Sequence, residues 1–150
     1  MDPFSSHTAN QRIQATRFFD EESDGFAQPW ESDAIFYNPP GKQVVKAWRK
    51  MTEEVDAERA DNIIFVGFSV EQLCILASEK YHPTDFSLVL LRKRISFLDD
   101  NGNTGSPSHG NFICGVNVDH ERFSTVFTGK GKIISGKHAI TRTIAPFTAV

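Results

Sequence analysis

The stretch Asn62-Ile63-Ile64-Phe65-Val66-Gly67-Phe68-Ser69 is an almost unbroken apolar run. Such a run suits a central strand buried on both faces, and a strand of that kind needs helices or loops packed on each side of its sheet. The surrounding chain supplies them. Val44, Val45, Trp48, Met51 and Val55 recur at helical spacing, with Lys46, Arg49, Lys50, Glu53 and Glu54 on the other face, so Val44 to Val55 reads as an amphipathic helix with Trp48 in the core. Thr8 to Phe19 reads as a helix, and Val70 to Ser78 as a short one capped by Ser69. His120 to Phe127 reads as a second short helix. Phe86 to Leu91, Ile95 to Leu98, Asn111 to Asn117 and Lys132 to Ser135 read as strands, and Asp99 to Gly110 as a loop dense in turn formers. Strand and helix alternate, which predicts an α/β fold with a mostly parallel sheet and an antiparallel pair near the C-terminal end. One domain over residues 1–135 is expected, with 136–150 as a C-terminal tail.

Composition narrows the function classes. The net charge of −3 argues against a chain that coats nucleic acid nonspecifically, but the charge is uneven. Up to Asp33 there are 7 acidic and 2 basic residues; from Ala34 onward, 12 acidic and 14 basic. The basic residues gather as Lys42, Lys46, Arg49, Lys50 and as Arg92, Lys93, Arg94. Such clusters are either solvated faces or local phosphate contacts. Cys74 and Cys114 sit in apolar runs without metal-ligand spacing, so both read as small buried hydrophobes in a reducing compartment and no metal site is expected. No apolar run is long enough to cross a membrane, and a cytoplasmic location is the default expectation.

The candidate site is the stretch Ala34-Ile35-Phe36-Tyr37-Asn38-Pro39-Pro40-Gly41. Ile35 to Tyr37 have strand propensity, and the two prolines end the ladder because neither donates a backbone hydrogen bond. Asn38, preceding a proline, is driven into extended backbone, while Gly41 lets the chain turn. The Asn38 carboxamide oxygen and the Pro39 carbonyl are then two fixed acceptors at the end of a strand. Two such acceptors suit an exocyclic amino group, whose lone pair they localise on nitrogen by accepting both N–H bonds. Asparagine is no general base, so the amine proton leaves after transfer. Alone, Asn-Pro-Pro-Gly also reads as a plain strand-ending turn.

The wider chain resembles the phage-type DNA N-6-adenine methyltransferase (Dam) family from Asp2 to Gly131. Asp2-Pro3-Phe4-Ser5 is similar to that family's Asp-Pro-Cys-Ser element, and Ala15 to Phe19, Glu22, Asp24-Gly25-Phe26 and Trp30 are similar to the run that follows it. Asn38-Pro39-Pro40-Gly41-Lys42 with Trp48 and Lys50 resembles the motif and its following helix. Gly67-Phe68-Ser69, Arg94-Ile95-Ser96-Phe97 and Ser106-Pro107-Ser108-His109-Gly110-Asn111 resemble three later blocks.

The resemblance implies a Rossmann-like methyltransferase sheet, S-adenosylmethionine as cofactor and adenine flipped out of double-stranded DNA as substrate. It implies that Asn38, Pro39 and Pro40 hold the amine, that Asp2, Pro3 and Asp24 lie on the cofactor side, and that Tyr37, Gly41, Lys42, Phe68, Ser69, Arg94, His109 and Asn111 line the substrate side. The sequence departs from the pattern in two places. Gly41 occupies the slot where many amino-methyltransferases have an aromatic that stacks on the base, leaving Tyr37, Phe68 or His109 as substitutes. Family members carry a strand and helix before the Asp-Pro element, whereas Met1 stands directly before Asp2 here, so an N-terminal strand is expected to be missing, and no Gly-x-Gly loop at a strand–helix junction replaces it. Two functions stay open: a DNA adenine methyltransferase, or a methyltransferase-like module that binds a protein or nucleic-acid partner without catalysis. Simple alternatives also stand for single residues: Asp24 as a turn former, Arg94 in an ion pair, His109 on the surface, Phe68 in the core.

Overall fold

The apolar runs become β1 (Ile35–Tyr37), β2 (Ile63–Gly67), β3 (Ser87–Leu91), β4 (Phe112–Val116) and β5 (Gly131–Ser135) in a computed structural model that describes residues 1–142. They form one open sheet in the order β1-β2-β4-β3-β5. The helices are α1 (His7–Ile13), α2 (Val44–Asp56), α3 (Glu71–Ile75) and α4 (His120–Phe127). The fold is therefore α/β with a mixed sheet, and the expected mostly parallel pairing is corrected. Only β1 and β2 pair in parallel; β2–β4, β3–β4 and β3–β5 are antiparallel. The physical reason lies in β4. It inserts between β2 and β3 in the reverse direction, reached from β3 by a loop with no crossover helix. A strand buried on both faces has the same apolar pattern in either direction, so composition did not reveal the reversal. Because β4 is antiparallel to both neighbours, β1, β2 and β3 still point the same way.

Side chains alternate across β1 and β2 as a strand requires. Ile35, Tyr37, Ile63 and Phe65 pack with Val44, Ala47, Trp48 and Met51 of α2 in the main core. Phe36 and Ile64, on the other face, are half-buried. The amphipathic reading of α2 holds with one correction: Glu54, read on the polar face, is buried, because its carboxylate finds donors inside the fold. Its carboxylate accepts hydrogen bonds from Lys50 (2.6 Å), Arg59 (2.6 Å) and the Trp30 backbone N–H (3.2 Å), so it fastens the acidic N-terminal loop to α2. Burial pushes its pKa up, but these donors outweigh burial and bring it down to about 2.

Other elements differ from expectation. The first helix stops at Ile13 rather than Phe19. Gln14 takes a left-handed conformation (φ 57°), and the Asn10 side chain bonds both the N–H and the carbonyl of Ala15. Arg17 to Phe19 then run extended beside Asp2: the Asp2 N–H donates to the Arg17 carbonyl and the Phe19 N–H to the Asp2 carbonyl, each at 3.0 Å. Phe36 of β1 donates to the Met1 carbonyl at 3.0 Å, so these segments continue the sheet past β1 and bring Asp2 to its flank. Ile95 to Leu98 is no strand; it carries only an isolated bridge between Leu98 and Thr104. The helix expected over Val70 to Ser78 spans only Glu71–Ile75, and Cys74 on it is exposed, unlike the buried Cys114. Residues 136–142 are bonded to the body: the His120 N–H donates to the Ile140 carbonyl and Arg142 pairs with Asp61 (2.7 Å). The rest of the expected tail, 143–150, lies outside the described residues.

Candidate functional site

The shared direction of β1, β2 and β3 gathers the motif blocks at one edge of the sheet. The Asn38–Gly41 turn leaves β1, Phe68-Ser69 leave β2, Arg92 to Phe97 leave β3, and His109 to Asn111 lead into the reversed β4. Blocks far apart in sequence therefore meet because of strand direction.

At this edge Asn38 is half-buried and lines a cavity of about 360 Å³. Among the described residues, neither its carboxamide nor the Pro39 carbonyl is hydrogen-bonded to the protein, whereas the Pro40 carbonyl accepts from the Gln43 N–H at 2.8 Å. Pro39 is buried and Pro40 exposed. The turn thus closes through Pro40 and leaves the two acceptors before it idle.

Asp2 lines the same cavity, although it is 36 positions from Asn38 in the chain. It is only 3% exposed. One carboxylate oxygen accepts from the Phe4 N–H at 3.1 Å. Burial raises the carboxyl pKa, and the Phe4 N–H offsets this in part. A carboxylate among Phe4, Phe36, Val66 and Phe97 suits a ligand that brings a hydroxyl or a cation to it. Pro3 is buried beside it and acts through its backbone. A Cβ on Gly25 would come 1.9 Å from the Pro3 carbonyl oxygen, so only glycine fits there. Asp24 does not line the cavity. It is exposed in a left-handed turn (φ 52°), with its carboxylate accepting from the Phe26 N–H at 3.0 Å. Its role is to deliver Gly25 under Pro3, where the Gly25 carbonyl accepts from Trp30 Nε1 at 2.8 Å.

The remaining candidates separate into two groups. Tyr37 is fully buried, stacked on Phe65 at 4.9 Å, and points into the core away from the edge; its hydroxyl has no partner. Asn111 is 1% exposed and its carboxamide is fully engaged. It accepts from the Ile95 N–H (2.7 Å) and donates to the carbonyls of Gly67 (3.2 Å) and Phe68 (2.6 Å), tying the β3 exit to the β2 exit. Ser69 is buried and accepts from the Glu71 N–H at 3.2 Å, but the helix is capped one residue later than expected, at Val70, with no side-chain capping bond. Phe68, by contrast, is 38% exposed. Its ring lies 5.0 Å from that of His109 and 5.6 Å from that of Phe97, and 3.9 Å from where a Gly41 side chain would begin. The exposed His109 ring is bonded to the Ser108 hydroxyl at 2.7 Å.

Charge at the edge is also sorted. On α2, Arg49 pairs with Glu79 (2.9 Å), Lys50 with Glu54, and Lys46 lies over the Phe26 ring at 4.1 Å. Lys42, Arg92, Lys93 and Arg94 are exposed and form no ion pair among the described residues. Sequence reasoning singled out neither Phe36, Val66 nor Phe97 as cavity walls, nor Arg12 and Ile13 of α1 at its rim. The Arg94-Ile95-Ser96-Phe97 block was the available signal for Phe97. A larger cavity of about 490 Å³ between β2 and α4 contains none of the candidates, and no cluster able to hold a metal occurs among the described residues. Comparison with known proteins adds no family to this picture: no family model, curated protein or solved structure matches the chain.

Proposed function

We propose that this chain binds S-adenosylmethionine in the cavity between Asp2 and Asn38 and methylates the exocyclic N6 amine of adenine in DNA. The observation that carries the reading is that Asp2 and Asn38 face one cavity at the end of β1, with the Asn38 and Pro39 acceptors idle. A Rossmann-like ancestry agrees with β1, β2 and β3 sharing one direction and only β4 and β5 opposing it.

The residues fit the cofactor. The cavity falls within the roughly 300–1,000 Å³ of small-molecule sites. Its aromatic walls suit a flat base, and the free oxygen of Asp2 suits a hydroxyl or ammonium group. When bound, the cofactor supplies an electrophilic methyl group on a sulfonium. Asn38 Oδ1 and the Pro39 carbonyl accept the two N–H bonds of the amine, orienting its lone pair and favouring a tetrahedral nitrogen. Pro39 and Pro40 hold those acceptors rigid. Phe4, Phe36 and Phe97 would shed water from the site once a cofactor covers them. Lys42 and the Arg92–Arg94 run stand at the same edge as free cations for DNA phosphates.

A binding module without catalysis is the competing function. The idle acceptors are open to a donor from either kind of ligand; their placement in one cavity with Asp2 is what favours the enzyme. Calorimetry with S-adenosylmethionine, followed by transfer of a labelled methyl group to mixed-sequence duplex DNA, tests the choice. Cofactor binding with transfer supports the enzyme. Binding without transfer leaves the module, and no binding at millimolar cofactor overturns the proposal.

A further inference from the structure

The groove of about 490 Å³ between β2 and α4 has no part in the proposed reaction. It opens at the other end of the sheet from Asn38, since Asn62 precedes β2 and Val118 and Asp119 follow β4. It also lies on the face turned away from α2. Ile64 is its floor, and the residue paired with Ile64 on β4 is Gly115. A Cβ at Gly115 would come 2.5 Å from Val118 and 2.9 Å from Phe123, so glycine is what lets both side chains lie against the sheet.

The wall is one face of α4. Phe123 and Phe127 stand four residues apart on it with their rings 4.7 Å from each other, and Arg122 and Val126 run beside them at the same spacing. Phe123 is buried, whereas Val126 is 66% exposed, a bare apolar side chain at the rim of a concave apolar surface.

Polar groups converge at the start of α4. Both oxygens of Asp119 are already used, one accepting from the Arg122 backbone N–H (2.8 Å) and the other from the Arg142 backbone N–H (2.7 Å). Arg142 Nη2 donates to Asp61 (2.7 Å). Two donors are left over. Arg142 Nε is buried without a partner among the described residues, and the exposed Arg122 guanidinium makes no hydrogen bond or ion pair among them. A buried N–H left open weakens a fold unless a ligand brings the acceptor. Guanidinium donors match a carboxylate better than any other common anion except phosphate, and apolar walls suit an organic body rather than a phosphate.

From this arrangement we infer that the groove binds a small organic carboxylate with an aromatic or aliphatic body. The body lies on Ile64, Phe123 and Phe127, and the carboxylate accepts from Arg142 Nε and the Arg122 guanidinium. The volume falls within the roughly 300–1,000 Å³ of small-molecule sites, which are mostly apolar with a few convergent polar groups. None of the groove's residues lines the Asp2–Asn38 cavity, so this ligand and a cofactor there occupy separate places.

The test is calorimetry of the full chain with 2-naphthoate and with its uncharged counterpart 2-naphthamide. The acid binds about tenfold or more tightly than the amide. Arg122→Ala weakens the acid about tenfold and leaves the amide unchanged. Val126→Asp, which sets a negative charge at the apolar rim, weakens the acid by a similar factor. Both side chains are exposed, so the melting temperatures of the two variants stay near wild type and report an intact fold. Saturating S-adenosylmethionine leaves the naphthoate affinity unchanged, whether or not the cofactor itself binds. No acid binding at millimolar concentration, equal affinity for acid and amide, or an affinity unmoved in both variants overturns the site. Displacement of the acid by S-adenosylmethionine also overturns it, by placing the probe in the other cavity. A wild-type dimer that Val126→Asp dissolves in sedimentation makes the groove a subunit contact and overturns it as well.

Discussion

Two asparagines stand at the same edge of the sheet and are used in opposite ways. Asn38, at the exit of β1, is half-buried and its carboxamide bonds to nothing among the described residues. Asn111, at the entry of β4, is buried and makes three bonds that clamp the exits of β2 and β3 together. The difference teaches how to separate a site residue from its scaffold. A polar side chain that folding needs is satisfied by the protein, and one left unsatisfied in a cavity is available to a ligand.

The comparison is most sharply tested by replacing each asparagine with alanine. Asn38→Ala should lower methyl transfer by about 10²-fold or more, since it removes one of two acceptors on the amine, while cofactor affinity and melting stay near wild type. Wild-type activity in that variant would remove Asn38 from the site. Asn111→Ala should do the reverse to stability. It strands one buried N–H and two carbonyls, and urea titration should show a loss of about 2–4 kcal/mol. A variant as stable as wild type would show that water replaces the clamp.

Glu54 extends the contrast to the acidic segment. Its pKa is lowered to about 2 by Arg59, Lys50 and the Trp30 N–H acting against burial. A depressed carboxyl contributes stability above its ordinary value of 4.5 and loses it as pH falls through the folded value. Acid titration of the fold should therefore be shallower in Glu54→Gln, which is already weakened at neutral pH by about 3 kcal/mol. Identical acid profiles would show that the carboxylate is not what ties Trp30 to α2.

Asp2 has the opposite sign. Its pKa is raised, so it favours the fold when protonated, below the ordinary value of 3.8, and loses that contribution as pH rises through the raised value. Asp2→Asn should melt higher than wild type at pH 7, with the gap closing near pH 3, while binding S-adenosylmethionine about tenfold more weakly. A lower melting temperature at pH 7 would mean the carboxylate serves the fold and not a ligand. The smallest effect concerns charge. Replacing Arg92 and Arg94 with alanine should reduce the salt slope of DNA binding by about 2, whereas Arg49→Ala, already paired with Glu79, should leave it unchanged. Equal slopes in all three proteins would move the DNA surface elsewhere.

Much of the fold was legible because local pattern and final structure agree where one element decides. The α2 spacing, the α4 range and the run of β2 all follow from period and burial. What misled was every point where a distant partner decides. Ala15 to Phe19 has a helical pattern, but Asp2 pairs with Arg17 and Phe19 and holds them extended. Ile95 to Leu98 has strand composition, but Asn111 takes the Ile95 N–H and the segment becomes a cavity wall. Cys74 lies in an apolar run, but the short α3 turns it outward.

By itself the sequence determined the rigid Asn38-Pro39-Pro40 turn, because proline geometry and missing donors act within a few residues. It also determined the apolar strands and the amphipathic α2. Only the tertiary structure decided that β4 runs backwards between β2 and β3, since a doubly buried strand has no directional signature. Strand direction in turn brought Phe68, Phe97 and His109 to the edge of the turn, pairing with Arg17 and Phe19 set Asp2 at its cavity, and side-chain alternation along β1 sent Tyr37 into the core.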